Sequence, residues 1–494
     1  MIEYQFQCST DTSKALTPFR LYEFLENVDC LFTPRLSSRV KLIDYANKLH
    51  SKSCLFTAYN HGNLVGVLAV YFNEAREAYI PFLGVSPVCQ NMGIEKTLLE
   101  KCLDLVTLKN GRIIQLEVST NNNVAIKLHK KMEVVEIDES YNLSDVKKTK
   151  MQCRLKNMNI LLTSVGRRGY MVKYFQDALA GSGKVHAANS IQTYALSQAD
   201  VSVITPGIYD GNYISFLETY CKQHDISAII PLFDIDIPIL AKHARLFEAA
   251  GVTLMVPSEE FAEICNDKWK TYCFLRDNGI ATPKSYLTED AALQALHQNE
   301  ICYPLVVKPR WGMGSIGVFI ADDEDELRVF CNKVRKAIAG SYLKYESAAD
   351  IEHSVLIQEK INGDEFGLDV INDLNGTNVS VVTKQKLAMR AGETDIAKVY
   401  KNSRLEEVGK LLGRLSGHKG NLDVDCFIAD NQVYVLEMNC RFGGQYPFSH
   451  LAGVNLPAQI VRWLHGCTTE EALITANRPC VACKELQPVV LEEL

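Results

Sequence analysis

Tyr434-Val-Leu-Glu-Met-Asn-Cys-Arg-Phe-Gly-Gly444 is an apolar run that spaces Glu437, Asn439 and Arg441 two residues apart. On a strand, residues i, i+2 and i+4 line one face. A carboxylate, an amide oxygen and a guanidinium therefore point the same way. Oxygen donors suit a hard cation such as Mg²⁺, and a guanidinium fork suits phosphoryl oxygens. The segment before it, Asn421-Leu-Asp-Val-Asp-Cys-Phe-Ile428, also alternates, and Asp430-Asn431 marks a turn. A two-residue loop would pair Asp425 with Leu436 and mix acids with apolar side chains. A three-residue loop, Asp430 to Gln432, pairs Asp425 with Glu437 and Asp423 with Asn439. It also stacks Leu422, Val424, Cys426 and Ile428 against Tyr434, Leu436 and Met438. One face is then apolar and the other acidic, which selects this register. An ordinary surface hairpin would leave the clustering of acids at one end, followed by Arg-Phe-Gly-Gly, unexplained.

A second group of residues suits phosphate. Lys308 ends the apolar run Leu305-Val-Val307 and is followed by Pro309 and a loop with Gly312, Gly314, Ser315 and Gly317. Without side-chain bulk, such a loop brings backbone N–H groups onto phosphate oxygens. Asp267-Lys268 opens a helix, and Val355-Leu-Ile-Gln358 leads through Lys360 and Ile361 to Glu365 at the start of a further strand. Gly166-Arg-Arg-Gly169 lies at a strand-to-helix turn, where anions bind. Arg167 and Arg168 there read equally well as holders of an anionic substrate group and as exposed loop arginines. Asp234 and Asp236 follow another strand end and are weaker substrate-contact candidates. No Walker A loop is present.

The elements that must position these residues fall into segments. Residues 1–140 read as a mixed domain, with a hairpin over Cys54–Tyr71, a strand at Glu77–Val85, a helix from about Gly93, a strand at Ile113–Val118 and a helix from about Asn123 to Lys131. Residues 141–157 are polar and poorly periodic and read as a linker. From 158 to 257, apolar strands alternate with helices, which implies a parallel doubly wound sheet. Residues 258–494 carry the phosphate and metal candidates. With 494 residues, 47% hydrophobic and 22% charged, the chain is long enough for several cores. A net charge of −7 gives no reason to expect nucleic-acid binding. No secretory pattern or bilayer-length apolar run appears, and sixteen scattered Cys fit reduced, buried thiols, so a cytoplasmic protein is expected. Cys480-Val-Ala-Cys483 is a lone pair without second-pair or His partners, and is read as chance spacing.

Two resemblances follow. Val85-Ser-Pro-Val-Cys-Gln90-Asn-Met-Gly93-Ile resembles the strand–loop–helix motif of the GCN5-related N-acetyltransferases (GNAT), and Asn123-Val-Ala-Ile-Lys-Leu-His129 resembles their later Asn-x-x-Ala-x-x-x-Tyr motif. The resemblance implies acetyl-CoA held by Val85, Gln90, Gly93, Asn123 and His129. Two positions depart from the family: Glu95 replaces Gly or Ala, and His129 replaces Tyr.

Residues 158–466 resemble the ATP-grasp family, and within it the carbamoyl-phosphate-synthase-like carboxylate–amine ligases. The motifs that carry this are Asp-Lys268, Val-Val-Lys308-Pro with its glycine loop, Gln358-Glu-Lys-Ile with Glu365, and Asp425 with Glu437-Met-Asn-Cys-Arg441. The implied fold is α/β and α+β multidomain: a GNAT-like domain, a Rossmann-like pre-ATP-grasp domain and an ATP-grasp fold. The resemblance implies that Lys268 and Lys308 hold ATP phosphates, that Gln358 and the backbone of Lys360 and Ile361 read adenine, and that Glu365 takes the ribose hydroxyls. Asp425, Glu437 and Asn439 would carry two Mg²⁺ ions, with Mn²⁺ as a substitute. Asp425 stands where close relatives often have Gln. Arg441 would stabilise the transferred phosphoryl, and Arg390 would serve the same charge or the substrate carboxylate. The expected activity is an ADP-forming ligase joining a small carboxylate to an amine through an acyl phosphate. The alternatives are a kinase or carboxylase on the same ATP site, or an acetyltransferase with a nucleotide-sensing grasp domain. Neither nucleic acid nor membrane is expected as a partner, and homo-oligomer formation is left open.

Overall fold

The computed structural model describes residues 2–7, 16–72, 77–108, 111, 113–119, 135–141, 147–154, 158–312, 316–390, 392–485 and 488–490. Two compact units divide near Asn157 and Met158.

The first unit is built on a seven-stranded sheet. In spatial order its strands are Ile2–Gln7, Cys54–Asn60, Asn63–Phe72, Glu77–Val85, Ile113–Ser119, Lys147–Arg154 and Val135–Tyr141. All neighbours are antiparallel except Glu77–Val85 with Ile113–Ser119. The central strands are apolar on both faces because helices cover both. Leu55, Val67, Ala69 and Phe82 pack with Leu21, Phe24, Leu25 and Leu49 of the helices Pro18–Val28 and Leu42–Lys52. Phe56, Ala58, Leu68, Val70 and Ile80 pack with Ile94, Leu98 and Cys102 of the helix Ile94–Leu108. Residues 141–157 are not a bare linker. Lys147–Arg154 is a strand paired on both sides, with Lys150 in register with Glu117 and with Asp138. The helix expected from Asn123 to Lys131 lies outside the described residues.

The second unit holds three sheets. A five-stranded sheet is parallel throughout, in the order Val201–Ile204, Val185–Asn189, Asn159–Thr163, Ile226–Pro231, Thr253–Leu254. This is the expected doubly wound sheet. Its first strand in sequence lies at the centre, so the chain winds outward one way and then the other. A four-stranded sheet orders Ser285–Tyr286, Val355–Glu359, Leu305–Pro309 and Phe319–Ala321. A six-stranded sheet orders Gln432–Asn439, Gly420–Ala429, Asp364–Asn372, Asn378–Arg390, Glu393–Val399 and Cys480–Cys483. Cys480 and Cys483 are thus residues of an edge strand paired with Glu393–Val399. No helix among the described residues is long and apolar enough to cross a membrane.

The hairpin that carries the acids shows how a correct pairing arises by another route. Asp423 pairs with Asn439 and Asp425 with Glu437, as expected, yet Ala429 pairs with Gln432. The loop is therefore two residues, not three. Asp430 and Asn431 both have left-handed backbones, φ 47° and 69°, the type I′ geometry that matches strand twist. The register is restored by a bulge, in which Leu436 is the extra residue between Glu437 and Val435. Met438, Val435 and Val433 then face the core with Val424 and Cys426, while Leu436 and Tyr434 are only half-buried.

Candidate active site

Two lysines from one side of the second unit converge on Glu437 from the other. Lys308 sits at the end of Leu305–Pro309, between buried Val307 and Pro309. Its Nζ donates to Gln358 Oε1 (2.7 Å), and Gln358 Nε2 donates to Ser285 Oγ (2.9 Å). Three strands of the four-stranded sheet are thereby tied together at one end. Burial and the charge of Lys268 push the Lys308 ammonium down to about 8, with Glu437 opposing.

Lys268 is positioned by a device that the sequence did not reveal. Asp267 caps the helix Lys268–Asp277, its Oδ1 accepting from the backbone N–H of Trp269 (2.9 Å) and Lys270 (3.3 Å). The same carboxylate takes a two-point contact from Arg310, Nε to Oδ1 at 2.8 Å and Nη2 to Oδ2 at 2.7 Å. Arg310 also donates to Asp350 Oδ2 (2.9 Å) and lies over the Trp311 ring. The start of this helix and the end of the strand Leu305–Pro309 are thus tied together through Arg310 and Asp267. Lys268 Nζ donates to the Gly312 carbonyl and lies 3.8 Å from Glu437 Oε2. Gly314 and Ser315 lie outside the described residues.

On the acidic face, burial works to raise the Glu437 carboxyl, but Lys268, Lys308, Lys386 and Arg441 outweigh it and hold the group below the usual carboxylate range. Asp425 behaves differently. Its Oδ1 lies 2.7 Å from Lys386 Nζ, and that ammonium also meets Glu365 Oε1 (2.8 Å). Burial still pushes Asp425 up to about 6, Lys386 opposing while Asp423 and Glu437 add to the rise. Lys386 therefore joins the expected ribose carboxylate to one expected metal ligand. In the sequence it reads as an ordinary lysine on an alternating strand.

Arg441 is buried and held by two acids. Nη1 donates to Asp423 Oδ2 (2.6 Å) and Nη2 to Asp234 Oδ2 (3.0 Å), while Nε lies 2.9 Å from Asp234 Oδ1. Burial alone would weaken its charge, and Asp234 and Asp423 more than reverse that. Gln445 donates to Asp423 Oδ1 (2.8 Å) and Asp425 Oδ1 (3.2 Å). Two glycines make room: a Cβ at Gly443 would lie 2.2 Å from the Asp423 carboxylate, and one at Gly367 would lie 1.7 Å from Gln445 Oε1. Asp234 thus contacts Arg441, whereas Asp236 is fully buried and accepts from Thr163 Oγ1 (2.6 Å), Ser164 Oγ (3.0 Å) and Tyr213 OH (2.7 Å). Its role is to knit the parallel sheet to its helices. Arg390 is the expected residue set apart from this cluster. It is exposed at the end of its strand and pairs with Asp395 at 2.7 Å.

Glu437 and Asn439 offer a carboxylate and an amide oxygen on one partly exposed face, with Asp425 beside them. Among the described residues, no three His, Cys, Asp or Glu side chains converge as a closed cage. That donor set fits Mg²⁺, which takes one or two carboxylates and completes its shell with water and phosphate oxygens.

Residues 265–445 match the family model described as ATP-grasp domain. The chain carries an ATP-grasp domain. Residues 160–255 match the model of the PylC-like N-terminal domain, and residues 22–133 match that of the acetyltransferase (GNAT) family. Among curated relatives, the arginine-specific large chain of carbamoyl phosphate synthase from Bacillus subtilis is 25% identical over 243 residues, 46% of this chain and 22% of that one. The carbamoyl phosphate synthase large chain of Pyrococcus furiosus is 26% identical over 257 residues, 48% and 23%. The match thus spans less than a quarter of either relative. Among solved structures, biotin carboxylase from Campylobacter jejuni covers 66% of this chain and 75% of its own at TM-score 0.54 and 18% identity. An L-amino acid ligase from Bacillus licheniformis covers 68% and 82% at TM-score 0.52 and 21% identity. These likenesses establish the ATP-grasp fold of the second unit.

In the first unit, Val85 ends its strand, Pro87–Cys89 forms a 3-10 turn, Gln90 and Gly93 occupy the following loop, and the helix begins at Ile94. Burial raises the Glu95 carboxyl on the first turn of that helix. Asn123 and His129 lie outside the described residues.

Proposed function

We propose that the protein is an ATP-dependent ligase that joins a small-molecule carboxylate to an amine, releasing ADP and phosphate. The observation that carries this reading is the convergence of Lys268 and Lys308 on an ionised Glu437 that shares its face with Asn439. Two cations for phosphate oxygens and two oxygen donors for Mg²⁺ meet at one place. Glu437 and Asn439 would hold Mg²⁺, which supplies charge neutralisation at the phosphates when bound; Mn²⁺ is the substitute ion.

The chain's own residues do the rest. Gln358 and the backbone at Lys360 and Ile361 bound the adenine end, and Glu365 takes the ribose hydroxyls while Lys386 holds its other side. Lys268 and Lys308 orient the phosphates in line with the incoming carboxylate. Phosphoryl transfer of this kind is catalysed mainly by positioning and by fixed charge. The carboxylate becomes an acyl phosphate, and the amine displaces phosphate to give the amide. The protein acts in the cytoplasm on small molecules and engages neither nucleic acid nor membrane.

MgATP incubated with pooled amino acids, sugar acids and amines is expected to give ADP in at least one pool, together with a product whose mass is acid plus amine minus water. ADP release with no such mass in any pool would overturn the ligase assignment.

The first unit supports a second activity, acetyl transfer from acetyl-CoA. Its strand–loop–helix would place pyrophosphate at the start of Ile94–Leu108. Calorimetric titration of the full chain with acetyl-CoA is expected to give one site. No detectable heat would remove this reading.

A further inference from the structure

The winding direction of the parallel sheet reverses between Asn159–Thr163 and Ile226–Pro231. In open α/β sheets, ligands bind at the carboxyl ends of the strands flanking such a reversal. Two charged side chains stand at that edge. Arg168 follows the first of these strands, in the Gly166–Gly169 loop, and Asp234 follows the second.

Arg167 and Arg168 are neighbours in sequence but not in environment. The Arg167 side chain is 95% exposed and comes no closer than 3.9 Å to Glu393. Arg168 is turned inward, and its loop is held by a hydrogen bond from its backbone N–H to Val165 O (2.8 Å). Its Nη1 is buried and has no hydrogen-bond partner among the described residues. It lies within electrostatic reach of Arg441, Tyr170, Asp234 and Asp423.

A buried guanidinium N–H without an acceptor costs free energy unless a ligand supplies one. Arg441 is the obvious anion receptor of the site, but each edge of its fork already faces Asp234 or Asp423. It cannot take a two-point oxyanion without releasing one of them. Arg168 is a second cation beside it, and no carboxylate among the described residues pairs with its buried Nη1.

We propose that Arg168 binds the carboxylate of the acid substrate at the reversal of the parallel sheet, while Arg441 is held in place by Asp234 and Asp423. This rests on the ligase reading and adds the residue that recognises the acid. Burial and the nearby Arg441 both work against the charge of Arg168, and an arriving oxyanion relieves both. The chemistry required is an oxyanion, which the γ-phosphate of the nucleotide also offers, so the test separates the two sources.

The experiment uses the full chain and calorimetry in two arms. The first titrates Mg²⁺ and the non-hydrolysable nucleotide AMP-PNP into wild type, Arg168→Gln and Arg168→Lys. The second titrates acetate, malonate, succinate, L-alanine and L-glutamate, one at a time, into nucleotide-saturated protein. The expected result is binding of at least one acid to wild type, weakened about tenfold or more by Arg168→Gln and less by Arg168→Lys, with nucleotide affinity changed by no more than about twofold. Loss of nucleotide affinity with acid affinity intact would assign Arg168 to phosphate and overturn the proposal. Equal acid affinity in wild type and variants, or no acid bound by wild type up to about 50 mM, would also overturn it. Should Arg168→Gln fail to fold, Arg168→Lys carries the comparison. Failure of wild type to bind AMP-PNP would overturn the ligase reading itself, which is a separate outcome.

Discussion

Glu437→Gln should reduce ADP formation by about three orders of magnitude or more while leaving the thermal midpoint near that of wild type. The substitution keeps size and shape but removes the one carboxylate that the surrounding lysines hold ionised. Lys268 and Lys308 then face each other without a counter-charge, although Lys308 is already pushed down to about 8 by burial and by Lys268. The amide oxygens at 437 and 439 remain, but the one carboxylate left beside them for Mg²⁺ is Asp425, whose charge is matched by Lys386. Losing a preorganised charge at a transferring phosphoryl is among the largest single losses that a site of this kind sustains. Stability should change little because Glu437 is partly exposed and packs no core. Steady-state ADP release with MgATP and the productive acid and amine measures the first effect, and a melting curve the second. Turnover near wild type would refute the metal assignment.

Lys384→Met should be the most destabilising single change in the six-stranded sheet, costing about 3–5 kcal/mol. Lys384 and Asp369 are both 0% exposed and form a direct ion pair. Ser449 Oγ also contacts both, and Asn421 Nδ2 donates to Asp369 Oδ1 (3.1 Å) and to the Arg441 carbonyl (3.2 Å). Removing the lysine leaves a carboxylate buried with neutral donors only. Adding Asp369→Asn removes that charge and should recover most of the loss, since a neutral buried pair costs far less than a broken one. Denaturant midpoints of the single and double variants make the comparison. Equal destabilisation of both would show that packing rather than charge dominates at this point.

The legible part of this protein was what depends on local period. Alternation put Glu437, Asn439, Asp423 and Asp425 on one face, and the pairing of acids across the hairpin followed from burying the other face. The bulge at Leu436 was not legible, because a three-residue loop and a two-residue turn plus one bulged residue bring the same acids opposite each other. The strand at Lys147–Arg154 was hidden for a related reason. Its sequence, Lys-Lys-Thr-Lys-Met-Gln-Cys-Arg, lacks apolar alternation, and only its backbone pairing with Ile113–Ser119 and Val135–Tyr141 shows that it is a strand. Long-range electrostatics was the least legible. Arg441 reads as a free phosphoryl ligand until Asp234, more than two hundred residues earlier, is seen against it. Lys386 and Arg310 carry no local sign of joining Glu365 to Asp425 or of fixing the helix that starts at Lys268. The order of the ATP-grasp motifs, by contrast, survives in sequence because each is tied to a strand end and a short loop.

In the proposed reaction, the carboxylate is activated by direct phosphorylation at the Lys268–Lys308–Glu437 site. The measurement that bears on it most directly is isotope tracing with the productive acid labelled with ¹⁸O in its carboxylate. Passage through an acyl phosphate predicts that one ¹⁸O appears in the released phosphate for each amide formed, and that Glu437→Gln abolishes both together. Amide formed with unlabelled phosphate would rule out an acyl phosphate at this site.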